Sequence, residues 1–219
     1  MDYLQPFINQ IVKGDCVDVM KRMPNQSVDL VVTDPPYIVR YQSRDGRSVP
    51  QDDCENWLKP SFAEVGRVLK NNRFCISFYG WTKTDKFLEA WKAARLRPVG
   101  HLVWVKNYHS QERFVRYCHE SAYLLAKGDP PRPKMALRDV LDWQYTGDEL
   151  HPTQKPVLAL VPLILAFSDI GDVVLDPFAG SGTTAIAAKL LSRNYIGIEI
   201  SEKYHRIAQA RLRTTKRDA

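Results

Sequence analysis

Four cysteines in 219 residues are too few and too scattered for a disulfide framework. Cys16, Cys54, Cys75 and Cys118 contain no Cys-x-x-Cys pair, so no metal site is expected and a reducing compartment such as the cytoplasm fits. Long hydrophobic runs are also missing. The longest, Val157 to Phe167, is interrupted by Pro162 and is too short to cross a bilayer. The opening MDYLQPFINQ lacks the basic-then-apolar pattern of a signal peptide, so no association with a membrane is expected. Internal repeats, low-complexity runs and strong linkers are absent, which makes one domain over residues 1–219 the expectation.

Hydrophobic residues make up 44% of the chain, enough for a substantial core. Short runs of β-branched and aromatic residues alternate with amphipathic stretches, the pattern of an α/β sheet covered on both faces. Strands are predicted at 28–34, 74–79, 101–106, 121–126, 173–176 and 195–200, with a weaker one at 9–14. Phe62, Val65 and Leu69 form one helical stripe, Phe87, Leu88 and Trp91 another, and Ile186, Ala187 and Leu190 a third. Ser201 is a good N-cap for a final helix carrying Tyr204, Ile207, Ala208 and Leu212. Two stretches, 38–53 and 128–151, read as irregular.

The excess of 31 Lys and Arg over 25 Asp and Glu gives +6. Much of it comes in stretches holding Arg40, Arg44 and Arg47, then Arg132, Lys134 and Arg138. A phosphate-bearing partner suits that balance, although solvated charged faces are the plainer reading of charge alone.

The apolar run Val28 to Thr33 leads into Asp34-Pro35-Pro36-Tyr37, and an open α/β sheet binds its ligands at the C-terminal ends of its strands. An exocyclic base amine is a poor nucleophile because its lone pair is delocalised into the ring. The Asp34 carboxylate and the Pro35 carbonyl suit the task of holding its two N–H groups, aiming the lone pair and stabilising the charge that develops on nitrogen. The prolines stiffen the turn, and Tyr37 offers a flat face for a base taken out of the duplex. A plain strand-ending turn is the alternative for these four residues taken alone.

A second motif runs Val173 to Thr184: strand, Asp176-Pro177-Phe178-Ala179-Gly180-Ser181-Gly182 turn, helix start. Gly180 and Gly182 allow close backbone approach, and the helix beginning at Thr183 favours an anionic group. Asp176 is placed to accept from an ammonium. Glu199 ends the next strand nineteen residues after Gly180, where a nucleoside site needs an acceptor for ribose hydroxyls. A phosphate loop is excluded because its Gly-Lys-Ser/Thr is missing, as is the three-glycine spacing of a dinucleotide fingerprint.

DPPY, then His151-Pro152-Thr153-Gln154-Lys155-Pro156, then DPFAGSGTT, in that order, resembles the β group of bacterial and phage DNA amino-methyltransferases. The likeness covers residues 14–200. It implies a Rossmann-like three-layer α/β methyltransferase fold with a mixed seven-stranded sheet, one strand antiparallel. It implies a catalytic half at about 14–128 preceding a cofactor half at about 151–214, with 38–53 and 128–151 as short DNA-recognition segments. S-adenosylmethionine is the implied cofactor. Asp34, Pro35, Pro36 and Tyr37 would be catalytic. Asp176, Phe178, Gly180, Ser181, Gly182 and Thr183 would hold its methionine part, Glu199 its ribose, and Asp15 with Cys16 its adenine. Thr153 and Lys155 would close over its carboxylate.

DNA is the implied partner, with Arg40, Arg44, Arg47, Arg132 and Arg138 as candidate contacts. A homodimer is a family-based expectation, and a companion restriction nuclease is left open. The implied activity is methylation of adenine N6 in the cytoplasm of a bacterial or phage-infected cell, by direct attack of the amine with no covalent enzyme intermediate. Adenine is favoured because cytosine-N4 members more often carry Ser before Pro-Pro-Tyr. Cytosine N4 is the nearest alternative, and a catalytically silent DNA-binding protein on the same fold is another. The two irregular stretches leave little chain for reading bases, so a short or relaxed target is expected.

Overall fold

The computed structural model describes residues 3–42, 46, 48–108, 114–133, 136–143 and 154–216. Among these, eight strands join one sheet: β1 (Gln10–Lys13), β2 (Val28–Thr33), β3 (Leu69–Phe78), β4 (Arg97–Val105), β5 (His119–Lys127), β6 (Val140–Asp142), β7 (Val173–Asp176) and β8 (Asn194–Glu199). Their spatial order is β1-β8-β7-β2-β3-β5-β4-β6. Only β5 runs against its neighbours, β3 and β4; the other pairings are parallel.

The single reversed strand agrees with the sequence reading, but the sheet has eight strands and not seven. The extra one, β6, lies inside the stretch read as irregular. It is three residues long, on the sheet edge, with an exposed residue on each side of half-buried Leu141. So short a run carries no measurable period. Its pairing with Val103 to Val105 exists only once β4 is in place.

Helices α1 (Cys16–Met20), α2 (Leu58–Val68) and α3 (Thr84–Ala93) cover one face, and α4 (Val157–Phe167), α5 (Thr183–Leu190) and α6 (Glu202–Thr214) the other. Side chains on a strand alternate between faces, and β2 shows the consequence: Val31 packs under α1 and α2, while Leu30 and Val32 face α4 and α5. Both faces of β2 are buried, which explains its unbroken apolar run. Leu69, expected to extend a helical stripe, instead begins β3. Ser201 caps α6 by accepting from the Tyr204 N–H at 3.5 Å. Among the described residues, no helix is long and apolar enough to cross a membrane.

One buried charge anchors the sheet far from the strand ends that carry the two motifs. Asp29 accepts from Lys70 at 2.7 Å and from the Val173 backbone N–H at 3.0 Å, with Arg73 at 3.2 Å. It therefore ties β2 to β3 and β7. Asp29→Ala would leave the buried Val173 N–H and the Lys70 ammonium without this acceptor, with Arg73 keeping Asp172, so a loss of about 2–4 kcal/mol is expected in urea unfolding, with cofactor affinity unchanged.

The strand order reverses direction between β2 and β7. From β2 the chain proceeds to β3 on one side, and from β7 to β8 on the other. Ligand crevices of open α/β sheets lie at such a switch point. Because Val31 is in register with Leu175, the DPPY turn and the glycine-rich turn emerge side by side.

Candidate active site

A cleft with about 1090 Å³ of space, counted to its open mouth, lies between these two turns. It is lined by Asp34, Pro35, Pro36 and Tyr37 from the first turn and by Asp176, Phe178, Gly180, Ser181 and Thr183 around the second. Asp15, Cys16, Lys155 and Glu199 complete it. The structure thus brings together thirteen of the fifteen residues expected to act on base or cofactor. Thr153 lies outside the described residues. Gly182 does not line the cleft: its φ of +83° and its closeness to α6, where a Cβ would sit 2.9 Å from the Cβ of Ala208, are what require glycine there.

Asp34 is the first residue beyond β2, not its last. One carboxylate oxygen accepts from the Tyr37 hydroxyl at 2.8 Å and the other from the Lys155 ammonium at 2.7 Å. Lys155 also reaches the Tyr37 hydroxyl at 3.3 Å and lies over the rings of Tyr37 and Phe78. Burial pushes the Asp34 carboxyl up, and Lys155 opposes that shift. Burial would lower the Lys155 ammonium, but Asp34 and Glu120 together outweigh it and raise it, so the lysine stays charged. Burial, reinforced by Asp34, holds the Tyr37 hydroxyl protonated.

Glu120, from the reversed strand β5, was not legible as a site residue. It pairs with Lys106, which closes the end of β4, and its charge acts on both Asp34 and Lys155. Burial would raise its carboxyl, yet Lys155 and Lys106 hold it down. Two carboxylates and two ammonium groups thus balance at the floor of the catalytic turn. Lys155 sits with that group, while its neighbour Gln154 accepts from the Ser181 hydroxyl at 3.0 Å in the glycine-rich turn, and both turns share the cleft with it.

The acids on the glycine-rich side are differently held. Asp176 accepts from the Phe178 N–H at 3.1 Å and the Thr184 hydroxyl at 2.7 Å, and burial raises its carboxyl to about 6. Glu199 accepts from the backbone N–H groups of Gly180 at 2.8 Å and Ser201 at 2.7 Å, and burial raises it to about 7. These donors are backbone N–H groups and a hydroxyl, not cations, and both carboxylates line the cleft with acceptor capacity to spare. Phe178 is braced edge-on by Trp57 at 5.0 Å between ring centres. Asp15 caps α1 by accepting from the Val17 N–H at 2.9 Å. Cys16 is buried against the Ser61 hydroxyl at 3.2 Å, with its thiol pushed up to about 12 by burial, so it is inert as a nucleophile.

Asp52 and Gly80 were also missed. The Asp52 carboxylate accepts from the N–H groups of Ile38 at 2.7 Å and Tyr41 at 2.6 Å, and so shapes the loop that follows DPPY. Gly80 packs so closely on the catalytic turn that a Cβ there would lie 2.6 Å from the Tyr37 carbonyl oxygen. Glycine at a strand end is a known mark of close backbone approach.

Of the arginines, Arg40 is exposed on that loop, beside the cleft. Arg44 and Arg47 lie outside the described residues. Arg132 and Arg138 are exposed on the stretch joining β5 to β6, which starts with Gly128 against Asn72 near the other end of the sheet.

A mixed sheet with one reversed strand, and a cleft at its switch point walled by a glycine-rich turn and two acids, define the methyltransferase class of α/β protein. A family model described as DNA methylase matches residues 28–210, and the chain belongs to that family. It is 49% identical to YubD, a provisionally named methylase of Escherichia coli strain K12, over 96% of this chain and 92% of that protein. It is 32% identical to the DNA adenine methyltransferase YhdJ of the same strain, over 92% of this chain and 82% of that protein. Among solved structures, the M1.HpyAVI–SAM complex has a TM-score of 0.74 at 26% identity and covers 93% of this chain and 98% of its own. The cytosine-N4-specific PvuII DNA methyltransferase has a TM-score of 0.77 at 16% identity, covering 97% and 90%, a likeness of fold alone.

Proposed function

We propose that this DNA methyltransferase moves a methyl group from S-adenosylmethionine to N6 of adenine. The observation that carries the reading is the Asp34 carboxylate, held by Lys155 and Tyr37 in a cleft also lined by Asp176, Phe178 and Glu199. Aspartate, and not the serine more frequent in cytosine-N4 enzymes, precedes the two prolines. YhdJ, which is named as an adenine methyltransferase, is similar over most of the chain.

The residues of the cleft suit the cofactor. Asp176 and Glu199 are buried carboxylates whose hydrogen bonds leave lone pairs for an ammonium and for ribose hydroxyls, and Phe178 with Trp57 gives a rigid apolar wall. Asp15 and Cys16 belong to the adenine end. S-adenosylmethionine supplies an electrophilic methyl; the remaining work falls to the chain. Asp34 and the Pro35 carbonyl hold the two N–H groups of the amine, and Lys155 keeps Asp34 ionised inside the protein. Tyr37 contributes its ring to the base and its hydroxyl to the orientation of Asp34.

On this reading the chain works as one unit in the cytoplasm, where cellular DNA lies, with a catalytic half at about 14–128 and a cofactor half at about 151–214. Because β6 consumes part of 128–151, even less chain remains for reading bases, and the target is short or relaxed.

Transfer of tritiated methyl to plasmid DNA, followed by mild acid release of purines, tests the choice of base. Label should leave with the purines. Label retained in the depurinated polymer would mean cytosine.

The two cofactor acids make a pH prediction. Their folded values, about 6 and about 7, lie above the ordinary 3.8 and 4.5. Without cofactor they therefore favour the folded state at low pH and lose that contribution as pH rises through about 6 and about 7. An ammonium or hydroxyl donor favours the charged forms, so cofactor affinity should rise with pH up to about 7 and then level. Asp176→Ala and Glu199→Ala should each cost about 1–3 kcal/mol of binding in calorimetry at about pH 8. Unchanged affinity in both variants would put the cofactor elsewhere.

A further inference from the structure

Beside the catalytic turn lies an aromatic surface that the chemistry above does not use. Gly80 touches the backbone of Tyr37, and the next residue, Trp81, has its Cα only about 3.8 Å further along the chain. Trp81 is 62% exposed and stacks on Tyr117, with ring centres 5.9 Å apart and planes 28° apart. Tyr117 comes from the segment leading into β5, so the pair bridges the ends of β3 and β5 on the edge of the sheet that holds the cleft. Phe114 and Val115, on the same segment, are fully and largely exposed, and Arg116 between them and Tyr117 is exposed too.

Trp81, Tyr117, Phe114 and Val115 together put several large apolar side chains on one exposed surface beside the cleft, and such grouped exposure marks a site of interaction. The occupant must be planar, apolar on its face and joined to negative charge, since the stack lies next to Arg116 on a chain of charge +6. DNA meets these terms at this place. Taking the target base out of the helix leaves the neighbouring bases without a stacking partner at the mouth of the cleft.

We propose that the Trp81–Tyr117 stack is a base-stacking site for DNA, taking a base exposed by removal of the target from the helix. The proposal rests on DNA being the substrate, not on adenine being the target. Stacking on an aromatic side chain is tolerant of sequence, which fits a chain with little room for base-reading segments.

The test uses a duplex carrying one site mapped with the wild-type protein, and a second duplex that is abasic opposite the target. Trp81→Ala should bind and methylate the ordinary duplex about tenfold or more worse, while Trp81→Phe stays near wild type. The loss should be smaller on the abasic duplex, where part of the cost of extrusion has been removed, and cofactor affinity should not change. Wild-type behaviour of Trp81→Ala on the ordinary duplex overturns the proposal. So does a loss that appears equally in cofactor binding, which would make Trp81 a prop for the cleft. A shift in oligomeric state with DNA affinity intact also overturns it and assigns the stack to a second copy of the chain. If the wild type methylates cytosine, the choice of base fails and the stacking proposal is still decided by Trp81→Ala.

Discussion

Asp34→Ala should lower methyl transfer by about two orders of magnitude or more while leaving cofactor affinity nearly unchanged. The buried carboxylate has its two oxygens on Tyr37 and Lys155, whereas Asp176 and Glu199 are held by other donors on the glycine-rich side. In the proposed reaction its removal takes away the acceptor that aims the amine and answers the charge forming on nitrogen. It also strands the Lys155 ammonium, leaving Glu120 as its remaining acidic neighbour, so a fall of about 1–3 kcal/mol in stability should accompany the loss. Single-turnover rates at saturating cofactor, read beside thermal unfolding, separate the two effects. Near-normal turnover would remove Asp34 from the chemistry.

Lys155→Met should cut transfer at neutral pH by about tenfold or more, with recovery as the pH is raised. The sign follows from the neighbours of Asp34. Burial and Glu120 both raise its carboxyl; Lys155 is the main group opposing them, with a smaller contribution from the Tyr37 hydroxyl. Without the lysine, Asp34 takes up a proton at higher pH, and its protonated form accepts poorly from an amine. The acid limb of the rate profile therefore moves upward. Asp34→Ala, having no carboxyl to titrate, should show no such recovery. If Lys155→Met instead weakened cofactor binding at every pH, the lysine would be the counter-charge to the cofactor's carboxylate that the sequence suggested.

The two central turns were legible because each follows an apolar run that can only be a buried strand, and because motif chemistry resides in a few adjacent residues. Asp34 and Asp176 could each be placed at the C-terminal end of a strand on those grounds; that the two strands are neighbours, with Val31 in register with Leu175, appears only in the assembled sheet. Glu120 was invisible for the opposite reason. Its meaning comes from Lys106 and Lys155, which reach it only after β4, β5 and the segment before α4 have assembled. The Lys155 contact with Asp34 spans 121 residues and leaves no local trace. Strand β6 has no period to detect, and Asp52 reads as any loop aspartate until the Ile38 and Tyr41 amides are seen to converge on it. Gly80 did leave a signal, glycine at the end of a strand, whose importance depended on what approached it. Gly182 shows the converse: its place in the motif suggested ligand contact, whereas packing against Ala208 is what demands glycine.

The most direct test of the whole account is mass spectrometry of nucleosides from DNA incubated with S-adenosylmethionine and either the wild-type protein or Asp34→Ala. The account predicts N6-methyladenine with the wild type, and a yield about a hundredfold lower or less with the variant. N4-methylcytosine as the product, or equal yields from the two proteins, would contradict it.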